Sequence, residues 1–270
     1  MSNNELPKVL TSNMQKGGVG KSTIIKNLST YLAVDKNKKV LNIDGDRIGS
    51  LSQFYGVVDP NGTIGELFKT KDSQKELKVH NVHPNIDLIS YDNKLDEKES
   101  DLSVEHGKYF ILMKWMLENK EWLTKYDYLL IDTHNDFDVF AKNAIAISDV
   151  VLAPDKPAPT REYSEVDMEY RFNKFKSELV EPMSGTSYIR AKLYKVGNMV
   201  EHNKKRHQEF LDKLKEEDGY LTWFPNRELF VNATLNTKSM GQLIEEDKGR
   251  NHNSYYERYL EAMSKIENVL

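Results

Sequence analysis

One stretch constrains this chain more than any other: Lys16-Gly17-Gly18-Val19-Gly20-Lys21-Ser22-Thr23. Its three glycines let the backbone curl until several N–H groups converge, which is how a main chain cradles phosphate oxygens. In such a loop the lysine reaches the β- and γ-phosphates and the next hydroxyl ligates Mg²⁺, roles that fall to Lys21 and Ser22. The usual pattern asks for glycine where this chain has Gln15, and the loop instead carries a second cation, Lys16. The surroundings suit the motif. Lys8-Val9-Leu10-Thr11-Ser12-Asn13-Met14 reads as a strand entering the loop, and Ile24, Ile25, Leu28, Tyr31 and Leu32 recur behind it at helical spacing. A helix N-terminus adds partial positive charge where phosphates would sit.

Strand-like and helix-like segments alternate through the rest of the chain, the pattern of a parallel sheet covered on both faces. Strands are expected at Val40–Ile43 ending in Asp44, at Asn85–Ile89, at Tyr126–Ile131 ending in Asp132, and at Val150–Ala153, stopped by Pro154, Pro157 and Pro159. Two more are expected at Ala191–Val196, ending at Asn198, and at Leu221–Phe224 before Pro225. Helices are expected at Thr63–Phe68, Glu105–Leu123, Arg161–Leu179, His202–Lys215 and Ser254–Leu270, with a charged loop or frayed helix start over 92–103. At 270 residues this suits one α/β domain over 8–270 behind a short tail, 1–7, with a mainly parallel sheet flanked by helices on both faces.

Composition narrows the function. The chain has no cysteine, which excludes disulfides, thiolate metal sites and iron–sulfur ligation. Its first residues lack the basic and apolar regions of a signal peptide, and no apolar run approaches the ~20 residues of a membrane span, so a cytoplasmic protein is expected. A formal net charge of −4 means that any nucleic-acid contact must come from a local basic patch.

Carboxylates at strand ends occupy the region where ligands bind in open α/β sheets. Asp132 closes an apolar strand and is expected to hold Mg²⁺ through water, opposite Ser22. Asp44 and Asp46 lie two apart at another strand end, where one can support metal-bound water and the other polarise an attacking water; Asp-Gly-Asp is also good turn chemistry.

Together these residues resemble the deviant Walker A family that includes ParA partition ATPases and MinD. Residues 16–23 match its K-G-G-x-G-K-S/T-T motif fully. Asp44-Gly45-Asp46-Arg47-Ile48-Gly49 keeps both Asp residues and the Gly of D-x-D-P-Q-G, and Asp132-Thr133-His134-Asn135 keeps the first half of D-T-P-P. Asn198 and the Phe224-Pro225-Asn226-Arg227 loop fall where the family contacts adenine, so the similarity runs from residue 8 to about 250. The resemblance implies a P-loop NTPase that uses ATP and Mg²⁺. Gly17, Gly18, Val19, Gly20, Lys21, Ser22 and Thr23 would hold the nucleotide, with Asn198 and Pro225 at the base. Lys16 would reach the partner's phosphates across a nucleotide-sandwich homodimer, Asp46 would orient the water, and Asp44 and Asp132 would stand in the metal's water shell with Ser22. The departures at Arg47-Ile48 and His134-Asn135 fall beside segments that would govern hydrolysis and partner coupling.

Within that family, MinD-like proteins hold the membrane through a basic amphipathic C-terminal helix. Here Glu257, Glu261 and Glu267 outnumber Arg258 and Lys265, which reads as a helix docked on the core. Tyr255, Tyr256 and Tyr259 are explained by packing. Cluster-binding relatives need cysteines that are absent. The expected function is therefore a DNA-segregation ATPase associated with the nucleoid. Its ATP-bound dimer would bind DNA without sequence preference and be reset by a ParB-like centromere-binding protein. Arg190, Lys192, Lys195, Lys204, Lys205 and Arg206 form the candidate DNA patch, a run that also fits a solvated face. The alternative is a positioning or regulatory ATPase for another cargo.

Overall fold

The computed structural model describes residues 5–69, 76–102, 104–157, 164–201, 204–235, 238–246 and 253–270. Met1–Asn4 of the expected tail, Ser103, Pro159, Arg161 at the head of the charged helix, and His202 lie outside them. Eight strands make one sheet: β1 (Lys8–Ser12), β2 (Val40–Gly45), β3 (Val79–His83), β4 (Ile86–Ile89), β5 (Tyr128–Thr133), β6 (Val150–Asp155), β7 (Lys192–Val200) and β8 (Tyr220–Pro225). Their order is β3-β4-β2-β5-β1-β6-β7-β8, and every pairing is parallel except β3 with β4.

Parallel strands sandwiched by helices must be apolar on both faces, and the register delivers this. Val9, Leu41, Ile43, Leu129 and Ile131 face one layer, where they meet Leu112, Trp115 and Met116 of the helix Ile111–Glu118 and Phe140 of Val139–Ile147. Leu10, Val40, Leu130, Val150 and Leu152 face the other, against Ile24, Ile25 and Leu28 of the helix Lys21–Thr30 and the C-terminal helix Asn253–Asn268. Each such aliphatic side chain, fully buried, contributes about 1.5–3 kcal/mol. The C-terminal helix docks as its acidic sequence suggests. Tyr255, Tyr259, Ala262, Met263 and Ile266 are buried, and the Arg258 guanidinium lies 4.5 Å from the Trp223 ring centroid while donating to the Thr222 hydroxyl at 2.6 Å. Among the described residues no helix is long and apolar enough to cross a membrane.

Several elements differ from their sequence pattern. β6 continues through Pro154 to Asp155, because β1 has already finished pairing at Leu152, so the missing N–H of Pro154 removes no ladder bond on that side. The helix expected over 105–123 begins only at Ile111, after a left-handed turn at Gly107 (φ 81°), and breaks at Asn119, whose side chain caps the Trp115 carbonyl at 2.9 Å. The charged segment after Asp92 forms a helix, Leu95–Asp101. β7 runs past Asn198 to Val200 with Met199 left-handed at φ 56°. Sequence periodicity does not announce β3, a half-buried polar edge strand, nor the helices Ser50–Phe54, Val139–Ile147, Glu228–Leu235 and Met240–Glu246.

The helix behind the loop is buried on nearly every side. It carries Lys26 inside, with its ammonium 3.0 Å from the Thr30 hydroxyl and 4.9 Å from the Tyr55 ring centroid. Burial holds Lys26 down to about 8 from the ordinary 10.5. Between those values the unfolded chain keeps a proton that the folded state has released, so this group makes stability rise with pH across that window. Lys26→Met should flatten that rise in denaturant titrations at pH 8 and pH 10, relative to the wild-type chain; an unchanged pH dependence would contradict this. A second test concerns close packing: a Cβ on Gly45 would collide with the buried Phe140 ring. Gly45→Ala should therefore cost about 1–3 kcal/mol in the same assay, and Gly45→Ala/Phe140→Leu should be less unstable than the two single effects summed.

Candidate functional site

At the C-terminal edge of the sheet, connections leaving β1 and β6 run to strands on opposite sides, the place where α/β sheets open a crevice. The loop between β1 and the helix Lys21–Thr30 lies there. Its start is held by Asn13, whose backbone N–H donates to the Leu152 carbonyl at 3.0 Å and whose amide donates to the Thr133 hydroxyl at 2.8 Å and the Asp136 carbonyl at 3.0 Å. Its middle is pinned by fully buried Val19, packed with Met14, Val151 and Ala153. Gly18 and Gly20 take left-handed conformations (φ 65° and 92°), and a Cβ on Gly20 would strike the Asn198 amide. Both positions need glycine. The helix starts without a side-chain cap and with no acidic residue in its first turn, so its leading N–H groups and the half-exposed Ser22 and Thr23 face the crevice edge.

Lys21 is buried, and its ammonium donates to the Met14 carbonyl at 3.3 Å and to the Asn135 side-chain oxygen. Burial lowers its pKa, against the opposing pull of Asp132, Asp46 and Asp136. The carboxylates come from neighbouring strands in register: Ser12 pairs with Asp132, and Asp132 with Asp44. Asp132 is fully buried, and neither of its oxygens has a hydrogen-bond partner among the described residues; the Ser12 hydroxyl beside it is likewise unsatisfied. Burial, then the nearby Asp44, push its pKa well above the carboxylate range, while Ser22 and Lys21 act the other way. An unsatisfied buried carboxylate is costly and calls for a cation or donor. With the Ser22 hydroxyl it offers hard oxygen donors that fit Mg²⁺. Mg²⁺ commonly keeps several waters and is held by one or two carboxylates together with phosphate oxygens.

Asp44 behaves differently. One oxygen accepts from both the backbone N–H and the hydroxyl of Ser52 at 2.7 Å each, the other from the Asp46 N–H at 3.2 Å, and burial raises its pKa to about 7. Asp44 thus ties the segment after β2 to the helix Ser50–Phe54 rather than presenting bare oxygens. Asp46 accepts from the Ile48 N–H and from the His134 ring, each at 2.9 Å.

The structure brings together Gly17, Gly18, Val19, Gly20, Lys21, Ser22, Asp44, Asp46 and Asp132, with Lys16 half-buried at the loop's front. Asn198 stands behind the loop, buried, donating to the Val19 carbonyl at 2.8 Å and accepting from the Met199 N–H. Its amide shapes the loop. Pro225 ends β8 at the same sheet edge, buried against Val200 of β7. The basic run does not form one surface. Arg190 and Lys192 stand where β7 begins, and Lys204, Lys205 and Arg206 follow its other end, roughly 25 Å away at 3.3 Å per residue. Lys195 is a correction to the candidate patch: it is buried, 3.5 Å from Glu169 and 3.8 Å from Glu217, because the middle of a strand beneath helices faces inward. Sequence reading missed Lys156, which donates to the Gly18 carbonyl at 3.0 Å, and the contacts of Asn135 and His134. Only the placement of β6 and β5 beside β1, and of β5 beside β2, discloses these.

The AAA domain family matches residues 7–176, more than half of the chain. The chromosome partitioning protein ParA of Caulobacter vibrioides is 32% identical over 156 residues, 57% of this chain and 57% of that protein. The chain spans about half the length of the curated relatives it matches. A putative plasmid partition protein from Borrelia burgdorferi, solved with bound AMPPNP, is 25% identical with a TM-score of 0.71, covering 98% of this chain and 100% of that one. Apo McdA from Cyanothece shares the fold, with a TM-score of 0.75 at 18% identity over 97% of this chain and 98% of its own. With more than half of its length matched by that family's model, this chain belongs to the AAA domain family.

Proposed function

We propose that this chain hydrolyses ATP as the switch of a DNA-segregation system. The bare carboxylate of Asp132 facing Lys21 and Ser22 carries the nucleotide part of that reading, and AMPPNP on the Borrelia burgdorferi relative supports ATP as the nucleotide. Backbone N–H groups of residues 17–23 hold the phosphate oxygens, and Lys21 trades its Met14 and Asn135 acceptors for the β- and γ-phosphates. Ser22 directly and Asp132 through water would hold Mg²⁺, which neutralises charge building on the phosphates. Asp46 orients the attacking water. Asp44 stays bonded to Ser52, so its part is to fix the segment that carries Asp46.

Lys16 gives the dimer. Two triphosphates brought face to face repel, and a lysine from each partner placed between them turns that repulsion into a bridge. ATP then joins two copies and hydrolysis parts them. Lys16→Ala is expected to abolish the ATP-induced doubling of mass in light scattering while the monomer still binds nucleotide; a variant that dimerises normally removes Lys16 from that role.

DNA contact rests on Lys205 and Arg206, exposed at the head of the helix Lys205–Glu216, with Lys204 partly engaged by Glu201 at 2.8 Å. Dimerisation would double this patch and make binding ATP-dependent. The centromere-binding partner and nucleoid association belong to the same proposal. The inward turn of Lys195 favours, as second reading, a positioning switch for another cargo. Fluorescence anisotropy with non-specific duplex separates the two. Partition predicts tight binding with ATP, weak binding with ADP, and a log–log salt slope for the dimer reduced by about four in Lys205→Ala/Arg206→Ala, two cations from each protomer. Lys195→Ala should leave that slope unchanged. Absence of ATP-dependent binding at low salt supports the second reading.

A further inference from the structure

Asp46 and His134 come from different strand ends. β2 and β5 are neighbours with Asp44 opposite Asp132, so the residues two beyond each of these meet across the crevice. The His134 Nδ1 stands 2.9 Å from Asp46 Oδ1, with side-chain exposures of 15% and 10%. The same oxygen also accepts the Ile48 N–H at 2.9 Å. A carboxylate at this distance is an acceptor, so the facing Nδ1 carries the hydrogen. Two donors from separate elements therefore converge on Oδ1, and among the described residues Oδ2 takes no hydrogen bond. That fixes the plane of the carboxylate and leaves one oxygen to receive something else. With the Ile48 tether alone, the group turns about its terminal torsion, which is soft for aspartate.

We propose that His134 is a positioning residue for hydrolysis: its Nδ1–H locks Asp46 so that Oδ2 accepts a hydrogen bond from the attacking water. The inference rests on the reading of Asp46 as the water-orienting carboxylate. In the step it serves, the water oxygen bonds to the γ-phosphorus as the bond to the β–γ bridging oxygen breaks. ADP leaves with that electron pair, and both water hydrogens depart on the inorganic phosphate. The neighbouring Asn135 binds Lys21, so one short segment after β5 touches both the phosphate lysine and the water-orienting carboxylate.

A substitution series at 134 tests this through geometry. Asparagine sets an amide N–H near the position of Nδ1, glutamine sets its amide near Nε2, and alanine supplies neither. With phosphate release followed at saturating and sub-saturating ATP, His134→Ala and His134→Gln should lose about tenfold in kcat with KM within about twofold. His134→Asn should stay within about threefold of the parent. Asp46→Asn, measured alongside, should lose turnover while still binding nucleotide, and adding His134→Ala to it should cause no further loss. If Asp46→Asn keeps full turnover, the reading of Asp46 and this inference fall together. If Asp46→Asn is inactive but all three His134 variants match the parent, or asparagine falls as far as alanine, or the loss sits in KM alone, only the inference falls.

Discussion

A fully buried carboxylate whose oxygens complete no hydrogen bond among the described residues is expensive, and the site is arranged around one, Asp132, with the Ser22 hydroxyl and the Lys21 charge at its side. Asp132 is held at the end of a central strand by pairing on both sides, with Ser12 on β1 and Asp44 on β2 in register. It cannot swing out to water, and the charge of Asp44 beside it makes ionisation harder still. Lys21 and Ser22 face it because β1 is its neighbour and the loop leaves β1 directly above. The pull that a cation and a phosphate would satisfy is thus built into the strand order.

The neighbouring groups divide the work. Asp44 gives one oxygen to Ser52 and the other to the Asp46 N–H, Asp46 has one oxygen without a hydrogen bond among the described residues, and Lys21 rests on the Met14 carbonyl and the Asn135 side-chain oxygen. The helix Leu95–Asp101 joins the same region. Asp96 pairs with Arg47 after β2, while Glu99 accepts the Phe140 N–H at the start of the helix after β5. Burial raises Glu99 to about 7, with Asp136 and Asp138 adding to the shift. Arg47, where the resemblance leads one to expect proline, meets Asp96 of the neighbouring helix in an ion pair whose two side chains are both about half exposed.

Local signals served well where one cause dominates. Glycines at 17, 18 and 20 speak for a backbone nest because no other residue tolerates left-handed turns at 18 and 20 so cheaply. Apolar runs ending in aspartate announced β2 and β5 because a strand buried on both faces must be apolar until it reaches the ligand edge. The reading failed where the environment decides. Pro154 looks like a strand end until one knows that β1 stops first. Lys195 looks like part of a basic surface until β7 is covered by helices and its ammonium finds Glu169 and Glu217.

By itself the sequence determined the phosphate loop, the doubled lysine, the alternating α/β layers and the identity of the strand-end carboxylates, since each follows from residue type at short spacing. The tertiary structure decided which of those carboxylates remains open, which lysines reach solvent, and that His134 and Asp46 meet, Asn135 and Lys21 with them. Those pairs lie 88 and 114 residues apart in the chain. Only the order and register of the parallel strands bring them within hydrogen-bonding distance.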